Sequence, residues 1–222
     1  MGSDIPKQFL ELGGVPVLAR TMKNFQDHPE VTAISAVIVE GWEDEMRRLA
    51  DLYGISKLVS VVLGGDTGHE SIRNGIFELE SRFSADAVVL VHDAIRPLTS
   101  ADVITRCIET TRVHGNGITA IHAAEVMLVT DDWASACEVF PRNRLARAQT
   151  PQGFGLGRLA ELHREAMRRD LPPPVASCEL AIALGETVHL SLGSQLNLKL
   201  TTPDDMVMAE ALLATGLLEA RA

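Results

Sequence analysis

The sequence predicts an α/β fold, in which helices flank a mostly parallel, Rossmann-like sheet. Apolar runs of strand length alternate with amphipathic stretches along the 222 residues, which is the order expected of repeated strand–helix units. The runs at 33–39 and 87–91 are almost wholly apolar, as in buried strands. The length suits one domain, so we expect residues 1–222 to form a single domain.

The first half of the chain contains three strand–helix units. The run at 33–39 predicts a strand, and the stretch 43–53 predicts a helix because Met46, Leu49 and Tyr53 recur at helical spacing. The remaining predictions rest on the same two patterns: strands at 58–63 and 87–91, and helices at 70–82 and 101–111.

The second half continues the alternation. A strand is predicted at 117–122 and a closing helix at 203–213, where Pro203 occupies a favourable first helical position. Between these elements the patterns predict helices at 156–169 and from 177, and strands at 187–192 and 197–200.

One segment interrupts the alternation. Residues 126–129 and 134–140 are separated by Asp131-Asp132, which suits the turn of a β-hairpin. A two-stranded ribbon is marginally stable alone, so we expect this arm, at about 124–147, to pack against a second subunit.

The charge excludes some classes of function. A net charge of −10 argues against nucleic-acid binding, which needs a basic surface. No apolar run approaches the length of a membrane helix, and the N-terminus has no signal-peptide core. The three cysteines are widely spaced and indicate neither a disulfide framework nor a zinc site. A cytoplasmic location is therefore expected.

Candidate site residues follow the predicted strands, because ligands of open α/β sheets bind beyond the carboxyl ends of the strands. Gly64, Gly65, Asp66 and Ser71 follow the second strand, where glycines permit close approach and a helix N-terminus can hold an anion. The structural alternative is a glycine turn with Ser71 as the N-cap.

A carboxylate and a guanidinium follow the third strand. Asp93 is placed to hold a divalent cation between phosphates, and Arg96 could bridge the same anionic ligand. A local Asp–Arg pair is the structural alternative, and His92 is expected to be a hydrogen-bonding residue rather than a base.

Two further basic features stand out. Arg142, Arg144 and Arg147 lie within six positions and suggest phosphate recognition, although a solvated charged face is an alternative. Lys199 lies between Leu198 and Leu200 in a predicted strand, so it points away from their face, toward solvent or a site.

Five motifs in order resemble the 2-C-methyl-D-erythritol 4-phosphate cytidylyltransferase family, and the related ribitol-5-phosphate cytidylyltransferases share the pattern. The motifs are Pro6-Lys-Gln-Phe-Leu-Glu-Leu-Gly-Gly-Val-Pro-Val17, Gly64-Gly-Asp with Ser71-Ile, His92-Asp-Ala-Ile-Arg-Pro97, Ala148-Gln-Thr-Pro-Gln152 and Asn197-Leu-Lys-Leu-Thr-Thr-Pro-Asp204. The resemblance spans nearly the whole chain.

The resemblance implies a nucleotidyltransferase-type fold with a hairpin dimerisation arm and a homodimer. It implies transfer of a cytidylyl group from CTP to 2-C-methyl-D-erythritol 4-phosphate, with Mg²⁺ and release of pyrophosphate, in isoprenoid precursor biosynthesis. The roles it implies are catalysis by Lys7 and Lys199, metal binding by Asp93, nucleotide binding by Gly64, Gly65, Asp66, Ser71 and Ala94, and substrate binding by Arg96, Arg142 and Thr150.

The sequence departs from the family pattern at several places. The family opens with a strand and a glycine-rich loop carrying an arginine, whereas this chain begins inside that loop, so we expect the first, central strand to be missing. Gly68 occupies a position where the family usually has an arginine. Val126 occupies one where the family usually has a hydroxyl side chain, and Ala176 one where it usually has a carboxylate.

These departures leave alternatives open. The acceptor could be ribitol 5-phosphate, because Cys178 favours the ribitol type, whereas the run 142–152 favours the erythritol type. A nucleotidyltransferase with another acceptor, or a catalytically impaired paralogue that only binds a nucleotide or a partner, would also explain Val126 and Ala176.

Overall fold

The structure, a computed structural model, describes residues 6–216. A single 3₁₀ turn at Lys7–Phe9 precedes a short hairpin, β1 (Glu11–Leu12) and β2 (Val15–Pro16). The further elements are α1 (Val17–Asp27), β3 (Ile34–Ile38), α2 (Glu43–Leu52), β4 (Leu58–Leu63), α3 (Gly68–Glu80), β5 (Val88–Val91), α4 (Ala101–His114), β6 (Asn116–His122), β7 (Met127–Val129), β8 (Glu138–Phe140), β9 (Ala146–Gly155), α5 (Leu156–Arg168), α6 (Ser177–Ala183), β10 (Leu190–Leu192) and α7 (Pro203–Ala214).

The larger sheet has four strands in the order β10–β6–β9–β5. Strand β10 is parallel to β6, while β9 is antiparallel to both of its neighbours. A second sheet pairs β3 and β4 in parallel. The predicted α/β fold is confirmed, and β9 makes the larger sheet mixed, because β9 follows a hairpin instead of a crossover helix.

Helices cover both faces of these sheets. Phe154 of β9, Leu159 and Leu162 of α5 and Ile76 of α3 are buried in one apolar cluster. On the other side, Phe25 of α1 packs with Ile104 and Ile108 of α4. Burial of these apolar side chains supplies the main driving force that holds the helices on the sheets.

Strands β3 and β5 are not hydrogen-bonded to each other within residues 6–216. Ile34 of β3 and Leu90 of β5 nevertheless pack against the same cluster, which contains Ile104 and Ile108. Residues 1–5, which the sequence predicts to be part of a loop, lie outside the described range.

Some predicted boundaries were wrong. The strand predicted at 187–192 is reduced to β10, and residues 197–200 form no strand. Helix α3 begins at Gly68, two residues before the predicted start. The predicted hairpin is present as β7 and β8, with Leu128 paired to Val139. No helix between residues 6 and 216 is long and apolar enough to cross a membrane.

Candidate functional site

Asp93 lies directly beyond the carboxyl end of β5, in the turn that leads to Pro97. Its backbone N–H donates a hydrogen bond of 3.0 Å to Thr150 Oγ1 on the neighbouring strand β9. The sheet register therefore brings Asp93 and Thr150 together, although 57 residues separate them. Both are predicted site residues.

Two cations contact the Asp93 carboxylate. Arg96 Nε donates to Oδ2 at 2.9 Å, and Lys199 Nζ lies 3.2 Å from Oδ1. Burial opposes ionisation of Asp93, yet the Lys199 ammonium and the Arg96 guanidinium outweigh it and hold the pKa of Asp93 below its ordinary value. Asp93 is therefore an anion at neutral pH.

The Arg96 side chain is only 10% exposed, so it is not a freely accessible surface cation. Besides its bond to Asp93, its Nη1 donates to the backbone carbonyl of Asn197 at 2.8 Å. A buried guanidinium with two fixed partners is held in one orientation. The sequence predicts substrate contact for Arg96, whereas the bonds in the structure are to other residues of the site.

Lys7 lies beside the same segment of chain. Its Nζ donates to the carbonyl of Thr201 at 3.1 Å, two residues beyond Lys199. The 3₁₀ turn that carries Lys7 is anchored by Phe9, whose ring stacks on Trp42 at 4.3 Å between centroids. The two predicted catalytic lysines therefore lie on neighbouring stretches of chain.

The glycine loop between β4 and α3 approaches the following helix closely. A Cβ on Gly65 would lie 2.4 Å from Glu70 Cβ, so a side chain there requires the helix to move. The backbone N–H of Gly65 donates to Ser71 Oγ at 3.1 Å, and Asp66 is exposed. The backbone N–H groups of Gly64, Gly65 and Thr67 are therefore bonded within the protein.

The structural alternative for Ser71 is wrong in one respect, because Ser71 is not the N-cap of α3. Thr67 is the N-cap, and Thr67 and Glu70 form a capping box in which each side chain accepts from the other's backbone N–H. Ser71 instead donates to the Thr67 carbonyl at 3.0 Å, and its Oγ accepts from the Gly65 N–H, so it joins the loop to the first turn of α3.

Ala94 lies between the glycine loop and the charged group formed by Asp93, Arg96 and Lys199. It packs against the apolar cluster that contains Ile38, and the Ile38 carbonyl accepts from the N–H of Gly64 at 2.8 Å. The Ala94 carbonyl accepts from Thr21 Oγ1 of α1 at 2.8 Å. The predicted nucleotide-side residues thus lie at one edge of the fold with Asp93.

Arg142 lies apart from these groups. It begins a 3₁₀ turn after β8, and its Nη1 donates to the carbonyl of Ala124 at 3.1 Å, across the base of the hairpin. Arg144 is exposed, and Arg147 donates to Gln195 Oε1 at 3.2 Å. The structure therefore does not bring Arg142 into hydrogen-bonding contact with Asp93, Thr150 or Lys199.

His92 is a structural residue, as expected. Its ring packs against Phe25 at 4.8 Å, and its Nε2 lies 3.3 Å from Thr99 Oγ1. Burial lowers the pKa of His92 to about 4, although the neighbouring Asp93 opposes this effect. The ring is therefore neutral at pH 7.

Sequence reasoning missed three polar residues of the site, namely Asn197, Gln149 and Thr99. Asn197 is 1% exposed, and it contacts Thr99 and Thr150 while Gln149 donates to its carbonyl at 3.4 Å. Asn197 and Gln149 lie in motifs that were identified, yet only Lys199 and Thr150 of those motifs received roles. The available signal was polarity within apolar surroundings, because buried polar groups need partners.

The donor set fits a magnesium ion held partly by substrate. Within residues 6–216 no group of three or more histidine, cysteine or acidic side chains could hold a metal. Mg²⁺ commonly takes one or two carboxylates and completes its shell with phosphates and water. Asp93 offers one ionised carboxylate whose oxygens retain lone pairs beyond those used by Arg96 and Lys199.

A separate groove of about 640 Å³ lies near the start of β5 and the end of α4. Asp86, Arg112 and Arg158 are among the residues that line it, and no predicted site residue does. The candidate site is therefore the open edge around Asp93, not this groove.

Comparison with known proteins gives a consistent result. Residues 1–215 match the family described as IspD, 2-C-methyl-D-erythritol 4-phosphate cytidylyltransferase. A ribitol-5-phosphate cytidylyltransferase from Vibrio parahaemolyticus is 36% identical over 210 residues, which cover 95% of this chain and 88% of the relative. A 2-C-methyl-D-erythritol 4-phosphate cytidylyltransferase from Geobacter metallireducens is 36% identical, with coverage of 96% and 91%.

The fold is similar to that of solved structures as well. The crystal structure of a 4-diphosphocytidyl-2C-methyl-D-erythritol synthase superposes with a TM-score of 0.82 at 26% identity, covering 94% of this chain and 95% of the other.

Proposed function

The chain belongs to the 2-C-methyl-D-erythritol 4-phosphate cytidylyltransferase family, and we propose that its acceptor is ribitol 5-phosphate. It is a cytidylyltransferase that acts on a sugar-alcohol phosphate. The similarity to ribitol-5-phosphate cytidylyltransferases carries the proposal for the acceptor, since several further relatives have that name.

A second acceptor, 2-C-methyl-D-erythritol 4-phosphate, has its own support. The matching family, the relative from Geobacter metallireducens and the similar crystal structure all bear names that refer to it or to its product. Activity with this acceptor would assign the protein to isoprenoid precursor biosynthesis.

The observation that carries the chemistry is the contact of Asp93 with both Arg96 and Lys199 beyond β5. In the proposed reaction a phosphate oxygen of the acceptor attacks the α-phosphorus of CTP. A new P–O bond forms as the bond from the α-phosphorus to the oxygen bridging the β-phosphate breaks, and pyrophosphate leaves. Such a reaction is accelerated by alignment and by neutralisation of negative charge.

The predicted site residues supply these two functions in our proposal. The ammonium groups of Lys7 and Lys199 neutralise charge on the phosphates, and the backbone around Gly64 and Gly65 contacts the nucleotide. Ala94, Asp66 and Ser71 complete the nucleotide side. Thr150 binds the acceptor together with Arg142 on the hairpin arm of a second copy of the chain, because no hydrogen bond joins Arg142 to Thr150 within one chain. Arg96 orients Asp93 through their 2.9 Å bond.

Asp93 would hold a Mg²⁺ ion in the same proposal. When bound, it would supply positive charge that offsets the charge of the phosphates. Lys199, at 3.2 Å from Asp93 Oδ1, helps to keep this carboxylate ionised.

The test is pyrophosphate release from CTP with each acceptor in parallel. We expect turnover with ribitol 5-phosphate, and a smaller kcat/KM with 2-C-methyl-D-erythritol 4-phosphate. The reverse ratio would transfer the assignment to the second acceptor. Absence of turnover with both, in a folded protein that binds CTP, would contradict the proposal.

We also propose that the hairpin joins two copies of the chain. Its side chains are largely apolar and exposed, including Leu128 and Val139, which are paired across the ribbon and are 60% exposed each. Trp133 at the turn is 93% exposed. An exposed apolar ribbon of this kind is typical of an interface.

Sedimentation velocity checks the homodimer. We expect the wild type to sediment as a dimer and Val139→Asp as a monomer, because a buried carboxylate without a partner disfavours the interface. Val113→Asp is the matched control, since Val113 is equally apolar and exposed but lies on α4. Dimerisation of the Val139 variant at wild-type affinity would remove the hairpin from the interface.

A further inference from the structure

Lys199 lies in a segment without regular secondary structure. The segment 193–199 is attached at one end by Gly193, whose N–H donates to the carbonyl of Ala120 at 2.9 Å. Beyond its other end, Leu200 N–H donates to the carbonyl of Ile95 at 2.9 Å. Between these two bonds no strand ladder fixes the backbone that carries Lys199.

Two bonds between Ser194 and the Gln149 side chain hold the start of this segment, and Asn197 holds the part nearer to Lys199. It is 1% exposed, and three of its groups are bonded at 2.8 Å: Nδ2 donates to the carbonyl of Thr150, Oδ1 accepts from Thr99 Oγ1, and the backbone carbonyl accepts from Arg96 Nη1. Such bonds are strong in an interior from which water is excluded.

Two of the partners of Asn197, Thr150 and Arg96, are also partners of Asp93. Thr150 accepts from the Asp93 N–H, and Arg96 donates to the Asp93 carboxylate. Asp93 and Asn197 are therefore both bonded to Thr150 and to Arg96. Asn197 fixes the backbone two residues before Lys199, and the two bonds of Arg96 set the distance between that backbone and Asp93.

The ion pair between Lys199 and Asp93 is itself too weak to fix the position of the Lys199 backbone. The Lys199 side chain is 44% exposed, and exposed ion pairs contribute little because solvent screens them and because ordering a lysine costs conformational entropy. The backbone beneath Lys199 must already be in place for the ammonium to meet the carboxylate repeatedly.

We propose that Asn197 is a positioning residue that, through its buried bonds to Thr99, Thr150 and Arg96, holds the Lys199 ammonium at the Asp93 carboxylate. The effect of this role on catalysis rests on the proposed cytidylyl transfer, while the geometric role does not. Asn197 acts through Lys199 and contacts neither substrate nor nucleotide.

The first measurement is structural and needs no turnover. Crystal structures of Asn197→Ala and Thr99→Val are compared with the wild type, in which Lys199 Nζ lies 3.2 Å from Asp93 Oδ1. We expect this ion pair to be lost or disordered in both variants. Thr99→Val removes the hydroxyl that donates to Asn197 and that also contacts the Arg96 carbonyl at 3.1 Å and His92 Nε2 at 3.3 Å, and it covers the case in which Asn197→Ala folds poorly.

Two variants serve as matched controls. Thr99→Ser retains the hydroxyl and is expected to retain the ion pair. Gln195→Ala changes the same segment, but Gln195 is exposed and bonded to the Arg147 side chain, so it should leave Lys199 in place. An intact ion pair in Thr99→Val and Asn197→Ala would overturn the proposal.

Kinetics then separate positioning from general stability. We expect kcat to fall about tenfold or more in Thr99→Val, with the KM for CTP changed less than about threefold, and recovery to within about twofold in Thr99→Ser. Equal kcat values for the valine and serine variants would also overturn it. A wild type without turnover would refute the proposed function, while the crystal structures would still decide the role of Asn197.

Discussion

At the scale of single residues, Asp93 connects the charged groups of the site. Its carboxylate contacts Arg96 and Lys199, and its backbone N–H reaches Thr150 on the next strand. The pairing is asymmetric, because Arg96 is buried while Lys199 is 44% exposed. Arg96 therefore fixes the carboxylate, and Lys199 remains accessible to a phosphate.

Replacement of Lys199 tests this division. We expect Lys199→Met to reduce kcat/KM on the order of 10²-fold or more, because one preorganised donor to developing charge is lost. The free energy of unfolding should change little, since the exposed pair contributes at most about 1 kcal/mol. Steady-state kinetics and urea unfolding measure the two effects.

Lys23→Met is the matched control for that change. Lys23 is also exposed and also paired to a carboxylate, at 2.7 Å from Asp27, but it lies on α1 outside the site. Equal losses of activity in the two variants would mean that Lys199 acts only through surface charge.

The sequence was informative for residues at strand ends and uninformative for their buried partners. Asp93, Arg96 and Lys199 could be predicted because charged groups directly beyond apolar runs are conspicuous. Asn197 could not be assigned a role, since its side-chain and carbonyl bonds reach Thr150, Thr99 and Arg96, which are 47, 98 and 101 residues away along the chain.

At the scale of elements, the segment 193–199 has no room for even one additional carbon at its start. A Cβ on Gly193 would lie 2.3 Å from Gln149 Oε1 and 2.9 Å from Thr119 Cγ2. Gln149 is buried and bonded to Ser194, so it cannot simply rotate away. Glycine is needed here for a close approach.

We therefore expect Gly193→Ala to lower the free energy of unfolding by about 1–3 kcal/mol, as overpacking in interiors does. Urea unfolding measures it, with Gly68→Ala as the control. A Cβ on Gly68 would meet nothing within 4 Å, and that variant should be as stable as the wild type or slightly more so. Equal stability of the two variants would contradict the packing argument.

Element boundaries were predicted less well than element types, for a physical reason. The apolar residues at 197–200 alternate as in a strand, yet the backbone of Asn197 bonds to Arg96 and Gln149 instead of a neighbouring strand. Helix α3 starts early because Thr67 and Glu70 form a capping box ahead of Ser71. Local patterns do not reveal which partner a backbone group finds.

At the scale of the whole molecule, the class of fold followed from the alternation of strands and helices, but β9 (Ala146–Gly155) was not predicted as a strand, and neither was its direction. Antiparallel pairing of β9 with β5 and β6 depends on the hairpin that precedes it. Apolar periodicity is the same for parallel and antiparallel strands, so a single sequence leaves that direction undetermined.

A fully buried histidine makes the stability of the whole fold sensitive to acid. His163 of α5 is 0% exposed, and neither ring nitrogen has a hydrogen-bond partner within the described residues. Burial, with smaller effects from His69 and Arg73, lowers the pKa of His163 to about 3. Between that value and about 6.5 the unfolded chain binds a proton that the folded chain does not.

Stability should therefore fall as the pH decreases from 7 toward 3, with up to roughly 1.4 kcal/mol per pH unit from this group. We expect His163→Leu to flatten the decline and to be at least as stable at pH 7, because two unpaired polar atoms are removed. Unfolding in urea at several pH values measures this effect. An unchanged slope in His163→Leu would contradict this assignment.

The hairpin has a consequence for how this protein can change. From residue 124 to residue 144 every side chain except Thr130 is exposed, and none belongs to a core cluster of the described residues. Substitutions there are nearly free of cost to folding, whereas those near Asn197 are not. The surface that the hairpin presents to other molecules can therefore change from one relative to another while the buried network around Asn197 stays the same.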